Sequence, residues 1–82
     1  MRIDRLVEMA NDIGAFFDAK ADKHEAARDI ANHLRRFWDP RMRRQMMAHY
    51  RQGGHGLHLT VLSAVGMLAE DAGATAPQGV DT

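Results

Sequence analysis

The ten residues from Arg35 to Arg44 concentrate more recognition chemistry than any other part of the chain. They contain the only tryptophan, an Asp-Pro pair and five of the nine arginines. A guanidinium group presents five donors in a planar fork that matches carboxylates, and tryptophan is a frequent anchor in protein interfaces. An 82-residue domain offers such a segment little to bind within itself. We therefore expect this arginine-rich segment, residues 35–44, to contact another protein chain.

The histidines and acidic residues form no catalytic or metal-binding pattern. His55 and His58 are the closest histidine pair, but zinc takes three or four ligands and the chain has no cysteine. Asp4, Glu8 and Asp12 recur every four residues, which is the spacing of one solvated helix face. No glycine-rich phosphate loop and no nucleophile elbow occur. We therefore expect that the chain is not an enzyme by itself and holds no cofactor and no metal.

Charge is neutral overall but unevenly distributed along the chain. Residues 1–34 sum to −2, residues 35–51 to +5 and residues 52–82 to −3, so a basic centre lies between acidic flanks. Nucleic-acid affinity comes mainly from many phosphate contacts, which a neutral chain with acidic ends does not favour. The alternative interpretation is a small helix-turn-helix-like nucleic-acid-binding protein, with a recognition helix in residues 41–51. We favour a protein partner and expect no nucleic acid.

Four helices are predicted from the spacing of the apolar residues. They cover residues 3–19, 22–38, 40–51 and 57–69. Asp22, with Glu25 three residues later, is typical of a helix start, and Asp39-Pro40 both ends the second helix and begins the third. Gly53-Gly54 ends the third helix. The predicted fold class is all-α, a small bundle of three to four short helices.

One domain is expected in residues 1–70, followed by a flexible tail in residues 71–82 that is disordered unless a partner holds it. The apolar side of the second helix ends in Phe37 and Trp38, and two roles are open for Trp38. It is either an anchor on a partner or a lid over the core between the second and third helices. Met42 and Met47 lie on different sides of one short helix, so at least one of them is expected to face a partner.

The chain has no apolar run long enough for a signal peptide or a membrane span. This predicts a soluble, cytoplasmic protein. The absence of cysteine agrees with a reducing compartment, because small secreted domains of this size usually depend on disulfides.

The arginine-rich segment also carries a family resemblance. Residues 6–17, 30–44 and 53–57 resemble the small delta subunit of soluble NAD-dependent, molybdenum-containing formate dehydrogenases, and the similarity covers about residues 3–68. Its most specific element is the run Phe-Trp-Asp-Pro-Arg-Met-Arg from Phe37 to Arg43.

The resemblance implies an accessory subunit without cofactors of its own. In such a complex the catalytic alpha subunit holds a bis-molybdopterin guanine dinucleotide molybdenum site and iron–sulfur clusters, and other subunits carry FMN, further clusters and the NAD site. Formate is oxidised to carbon dioxide at molybdenum, and the electrons pass to NAD. The delta subunit would stabilise the assembled enzyme or assist its cofactor loading, as a resident subunit or as a maturation chaperone.

The implied partners are the catalytic alpha subunit and the other subunits of the complex, with no nucleic acid and no membrane. We expect the arginines to face acidic or carbonyl-rich surface on the catalytic subunit. The predicted partner-binding residues are Arg36, Phe37, Trp38, Asp39, Pro40, Arg41, Met42, Arg43, Arg44 and Met47.

Overall fold

The computed structural model describes residues 2–75, which form four α-helices. These are α1 (Ile3–Phe17), α2 (Lys23–Phe37), α3 (Pro40–Arg51) and α4 (Leu59–Thr75). The predicted all-α class is confirmed, and no strand occurs within the described residues. The last helix begins two residues later than predicted and continues past the predicted end near Ala69. Residues 76–82 of the predicted tail lie outside the described residues.

Two aspartates begin helices as the sequence predicts. The Oδ1 atom of Asp22 accepts hydrogen bonds from the backbone N–H groups of His24 (3.0 Å) and Glu25 (3.1 Å) at the start of α2. The Oδ1 atom of Asp39 accepts from the N–H of Met42 at 2.9 Å, and Pro40 is the first residue of α3. Each carboxylate satisfies N–H groups that have no partner inside the helix and also interacts favourably with the helix dipole.

The core lies between α2 and α4, which pack on each other most extensively, while α1 and α3 flank them. Its largest fully buried side chains are Leu6, Ile30, Leu34, Met46, Val61 and Val65. At Gly14 a Cβ atom would lie only 2.3 Å from the Cγ2 atom of Val61, so α1 approaches α4 too closely there for any side chain without displacement. Within residues 2–75, no helix is long and apolar enough to cross a membrane.

Phe37 and Trp38 separate where α2 ends. Trp38 leaves the helix with extended backbone angles (φ −88°, ψ 142°), and its side chain, 6% exposed, joins the core. Phe37, which the sequence places with Trp38 on the apolar side of α2, is 68% exposed. It occupies the last helical position, beyond the reach of the core, and its ring lies against His33 with centroids 4.7 Å apart.

Asn11, a residue of α1, connects that helix to the loop between α3 and α4 through two hydrogen bonds. Its Nδ2 donates to the carbonyl oxygen of Gly56 (2.9 Å), and its Oδ1 accepts from the N–H of His58 (3.0 Å). Gly53, Gly54 and Gly56 of this loop all have positive φ, a conformation that glycine adopts without steric cost. The sequence contained no signal for this role of Asn11.

We predict that Asn11→Ala lowers the free energy of unfolding by about 1–2 kcal/mol, because two backbone groups of the loop lose their partner. Urea denaturation followed by circular dichroism measures this change. Asn32→Ala is the matched control, since the Asn32 side chain accepts one exposed hydrogen bond, from Arg35 at 2.8 Å. Equal stabilities of the two variants would show that the loop is held in another way.

Candidate functional site

The arginine-rich segment forms the corner between α2 and α3. It comprises the last turn of α2, the extended residues Trp38 and Asp39, and the first turn of α3. The sequence builds this corner locally, because Pro40 disfavours helical geometry at Asp39 and Asp39 then caps the helix that Pro40 begins. The corner therefore places its arginines around one helix end and one helix start.

Arg43 turns inward at this corner. Its Nη1 donates to the carbonyl oxygen of Arg35 at 3.0 Å and also to the carbonyl oxygen of Trp38. Both carbonyls belong to the C-terminal end of α2, where the helix itself supplies no donor. The expectation that the arginines find little to bind within their own domain is therefore wrong for Arg43, which joins α3 to the end of α2.

Arg35 also binds within the domain. Its guanidinium lies 2.5 Å from the carboxylate of Asp71, and this ion pair connects α2 to α4. Both side chains are substantially exposed, at 42% and 63%, so the pair contributes at most about 1 kcal/mol to folding. Its main consequence is to neutralise one of the five arginines in the segment.

The remaining arginines of the segment point outward into solvent. Arg36, Arg41 and Arg44 are exposed, and among residues 2–75 no carboxylate lies within 4.0 Å of their guanidinium groups. The nearest carboxylate in sequence, Asp39, is used as the N-cap of α3. We name Arg36, Arg41 and Arg44 the arginine surface. Its guanidinium forks are available to carboxylates or carbonyl groups of another molecule.

A shallow groove of about 340 Å³ runs beside this surface between α3 and α4. The half-buried Met47 and the buried Leu68 give it an apolar floor, and Arg44 and Pro40 form part of its rim. Met42 is half-buried as well, and both methionines also pack against the core. Met47 also lines the groove. The argument that only one of these two methionines can reach the core is therefore wrong, and contact of either one with a partner stays a prediction.

The other predicted site residues divide between surface and interior. Phe37, Asp39 and Pro40 are exposed at the corner, whereas Trp38 is buried. The structure therefore supports the core role of Trp38 among the two that the sequence left open. For the exposed residues, contact with a partner stays a prediction.

The shifted titrations lie elsewhere, in the turn between α1 and α2. Hydrogen bonds donated by Lys23 and Thr60 lower the pKa of the Asp18 carboxyl, and a hydrogen bond to Asp29 raises the pKa of Lys20. These contacts connect the turn to α2 and α4. They favour the charged forms of both groups at neutral pH.

One histidine, His49, contacts the glycine-rich loop that follows α3. Nε2 of His49 lies 2.7 Å from the carbonyl oxygen of His55 in the glycine-rich loop. No group of three or more His, Cys, Asp or Glu side chains within residues 2–75 is placed to hold a metal ion.

The fold and this surface define a small four-helix protein whose most distinctive feature is a corner of outward-pointing arginines. A family model described as the NADH-dependent formate dehydrogenase delta subunit, FdsD, matches residues 5–65, which includes the whole corner. The chain belongs to this family of delta subunits, and the resemblance carried by residues 37–43 is confirmed. Searches among curated proteins and among solved structures found no match.

We predict opposite outcomes for two neighbouring arginines. Arg43→Ala should lower the free energy of unfolding by about 1.5–3 kcal/mol, because two carbonyls at the end of α2 lose a charged donor. Arg44→Ala should change it by no more than about 0.5 kcal/mol, as is usual for an exposed side chain. Chemical denaturation of both variants is the measurement. A loss for Arg44→Ala as large as that for Arg43→Ala would contradict the division into inward and outward arginines.

Proposed function

We propose that this chain is a non-catalytic accessory subunit that docks through its arginine surface on the catalytic subunit of an NAD-dependent formate dehydrogenase. The observation that carries the proposal is the set of exposed guanidinium groups without a carboxylate among residues 2–75. Membership in the delta-subunit family supports the identity of the complex. The docking surface, the choice of the catalytic subunit and the role after docking are the parts that we infer.

The chemistry of the arginine surface fits a protein partner. Guanidinium groups are weakly hydrated and bind carboxylates through two parallel hydrogen bonds. Their removal from water in an interface therefore has a small free-energy cost. The groove with Met47 at its floor adds an apolar centre beside this charged rim. An apolar centre with a polar rim is the usual arrangement of a protein interface.

In this proposal the redox chemistry belongs to the partner subunits. Oxidation of formate to carbon dioxide and reduction of NAD⁺ to NADH would take place there, with a molybdenum site, iron–sulfur clusters and FMN in those subunits supplying the redox chemistry. The present chain contains no cysteine with which to ligate a cluster. In the cytoplasm, its residues bind and position the catalytic subunit. This binding stabilises that subunit or assists the loading of its cofactors. Both roles use the same docking surface.

We predict that Arg41→Glu/Arg44→Glu abolishes co-purification with the catalytic subunit while the chain stays folded. Reversal places two negative charges against an acidic or carbonyl-rich surface, and lost charge pairs of this kind weaken binding by at least tenfold. A tagged chain co-expressed with the other subunits, followed by affinity purification and mass spectrometry, measures retention. Circular dichroism of the isolated variant checks its fold.

Arg2→Glu/Arg5→Glu is the matched control for charge. It makes the same change in net charge at the start of α1, where Arg2 and Arg5 already face Asp4 and Glu8 at 3.0 and 3.9 Å. Acidic residues are favourable in the first turn of a helix, so this variant should fold and stay in the complex. Retention of the Arg41/Arg44 variant in amounts equal to the control would refute docking through the arginine surface.

Gel filtration of the purified wild-type complex separates the two roles. A resident stabilising subunit elutes with the catalytic subunit in constant proportion. A loading factor is present with the cofactor-free catalytic subunit and lost from the loaded enzyme.

A further inference from the structure

A row of aromatic rings crosses the surface from the end of α1 to the end of α2. Phe16 and Phe17 meet edge to face with centroids 5.2 Å apart, Phe17 and His33 follow at 6.2 Å, and His33 and Phe37 at 4.7 Å. We name these four residues the aromatic ladder. The rings contact each other across the two helices, and only Phe17 also packs against the core.

Two of these rings are unusually open to solvent. Phe16 is 79% exposed and Phe37 is 68% exposed, at opposite ends of the aromatic ladder. Single exposed apolar residues are common, but neighbouring aromatic rings aligned across two elements form a contiguous patch. Phenylalanine is a large apolar side chain, so its burial in an interface contributes a large favourable free energy. The patch is therefore suited to being covered.

The charge beside the aromatic ladder selects the kind of molecule that covers it. The Arg36 guanidinium lies 6.0 Å from the centroid of the Phe37 ring and, within residues 2–75, has no carboxylate within 4.0 Å. Asp29 lines the same depression, of about 300 Å³, but its carboxylate is already paired with Lys20. The unpaired charge of this surface is thus positive, and its complement is an apolar side chain next to a carboxylate.

A second copy of the chain fits this surface poorly. A symmetric contact through the aromatic ladder would bring two Arg36 side chains into the same interface. Among residues 2–75, the one carboxylate that lines the depression is Asp29, which pairs with Lys20, so each copy would bury a guanidinium without an anion to pair with it. Burial of an unpaired charge opposes association.

We propose that the aromatic ladder is a second docking surface, which binds an apolar, carboxylate-bearing segment of the catalytic subunit. This inference rests on the proposed function and adds a contact that the arginine surface does not supply. The two surfaces adjoin in the chain, because Arg36 of the arginine surface directly precedes Phe37 of the aromatic ladder in the last turn of α2. The catalytic subunit would therefore contact the protein on both sides of the end of α2.

The two surfaces should act on different stages of binding. Exposed arginines mainly accelerate encounter and make affinity depend on salt, whereas desolvated aromatic anchors mainly slow dissociation. Loss of the aromatic rings should leave the salt dependence of association unchanged. This difference separates the ladder from the arginine surface in one experiment.

The test is Phe16→Ala/Phe37→Ala, measured by surface-immobilised binding to the complex of the remaining subunits purified without this chain. We expect a dissociation constant at least tenfold higher, through faster dissociation, with an unchanged salt slope of the association rate. Leu59→Ala is the control, since Leu59 is another large apolar residue, 82% exposed, at the start of α4. It should bind as the wild type does. Thermal melts establish that all variants are folded.

The outcomes distinguish this inference from the proposed function. If Arg41→Glu/Arg44→Glu weakens binding but Phe16→Ala/Phe37→Ala does not, the aromatic ladder is no docking surface and the proposed function stands. If the wild-type chain does not bind the remaining subunits at all, both fail. Concentration-dependent dimers of the isolated chain that Phe37→Ala abolishes would assign the ladder to a second copy and overturn the inference.

Discussion

The break that Asp39-Pro40 imposes between α2 and α3 is the constraint on which the surface of this protein depends. Proline cannot donate a backbone hydrogen bond and disfavours helical geometry in the residue before it, so α2 ends at Phe37 with carbonyls that need donors. Arg43 supplies them from α3, and Asp39 caps the start of α3. Both helix ends at the break are thus held by side chains of the segment itself.

This solution also determines how the charges are distributed. Arg43 is used inside the corner and Arg35 is paired with Asp71, while the carboxylate of Asp39 is directed at a backbone N–H. Because the carboxylate of Asp39 caps α3, the arginine surface has no neighbouring anion within the described residues. A structural requirement of two helix ends therefore produces an exposed cationic surface.

The small size of the domain explains why large apolar side chains remain exposed outside its core. A short chain buries a smaller fraction of its surface than a long one, and this core is filled by a few side chains between α2 and α4. Trp38 completes that core at the corner, whereas Phe16 and Phe37 lie beyond it and remain apolar surface. The buried core and exposed apolar surface thus meet at adjacent residues, Trp38 and Phe37.

Local signals in the sequence determined the helices, their caps at Asp22 and Asp39, the break at Pro40 and the family, because each depends on neighbouring residues in the chain. Only the tertiary structure decided that Arg43 faces inward and Arg44 outward, that Trp38 is buried and Phe37 exposed, and that Asn11 holds a loop 45 residues away. The end of α4 also differs from the prediction near Ala69, since the helix continues through small residues with weak periodicity to Thr75. These features depend on which helix ends meet in space, and residue spacing along one helix does not contain that information.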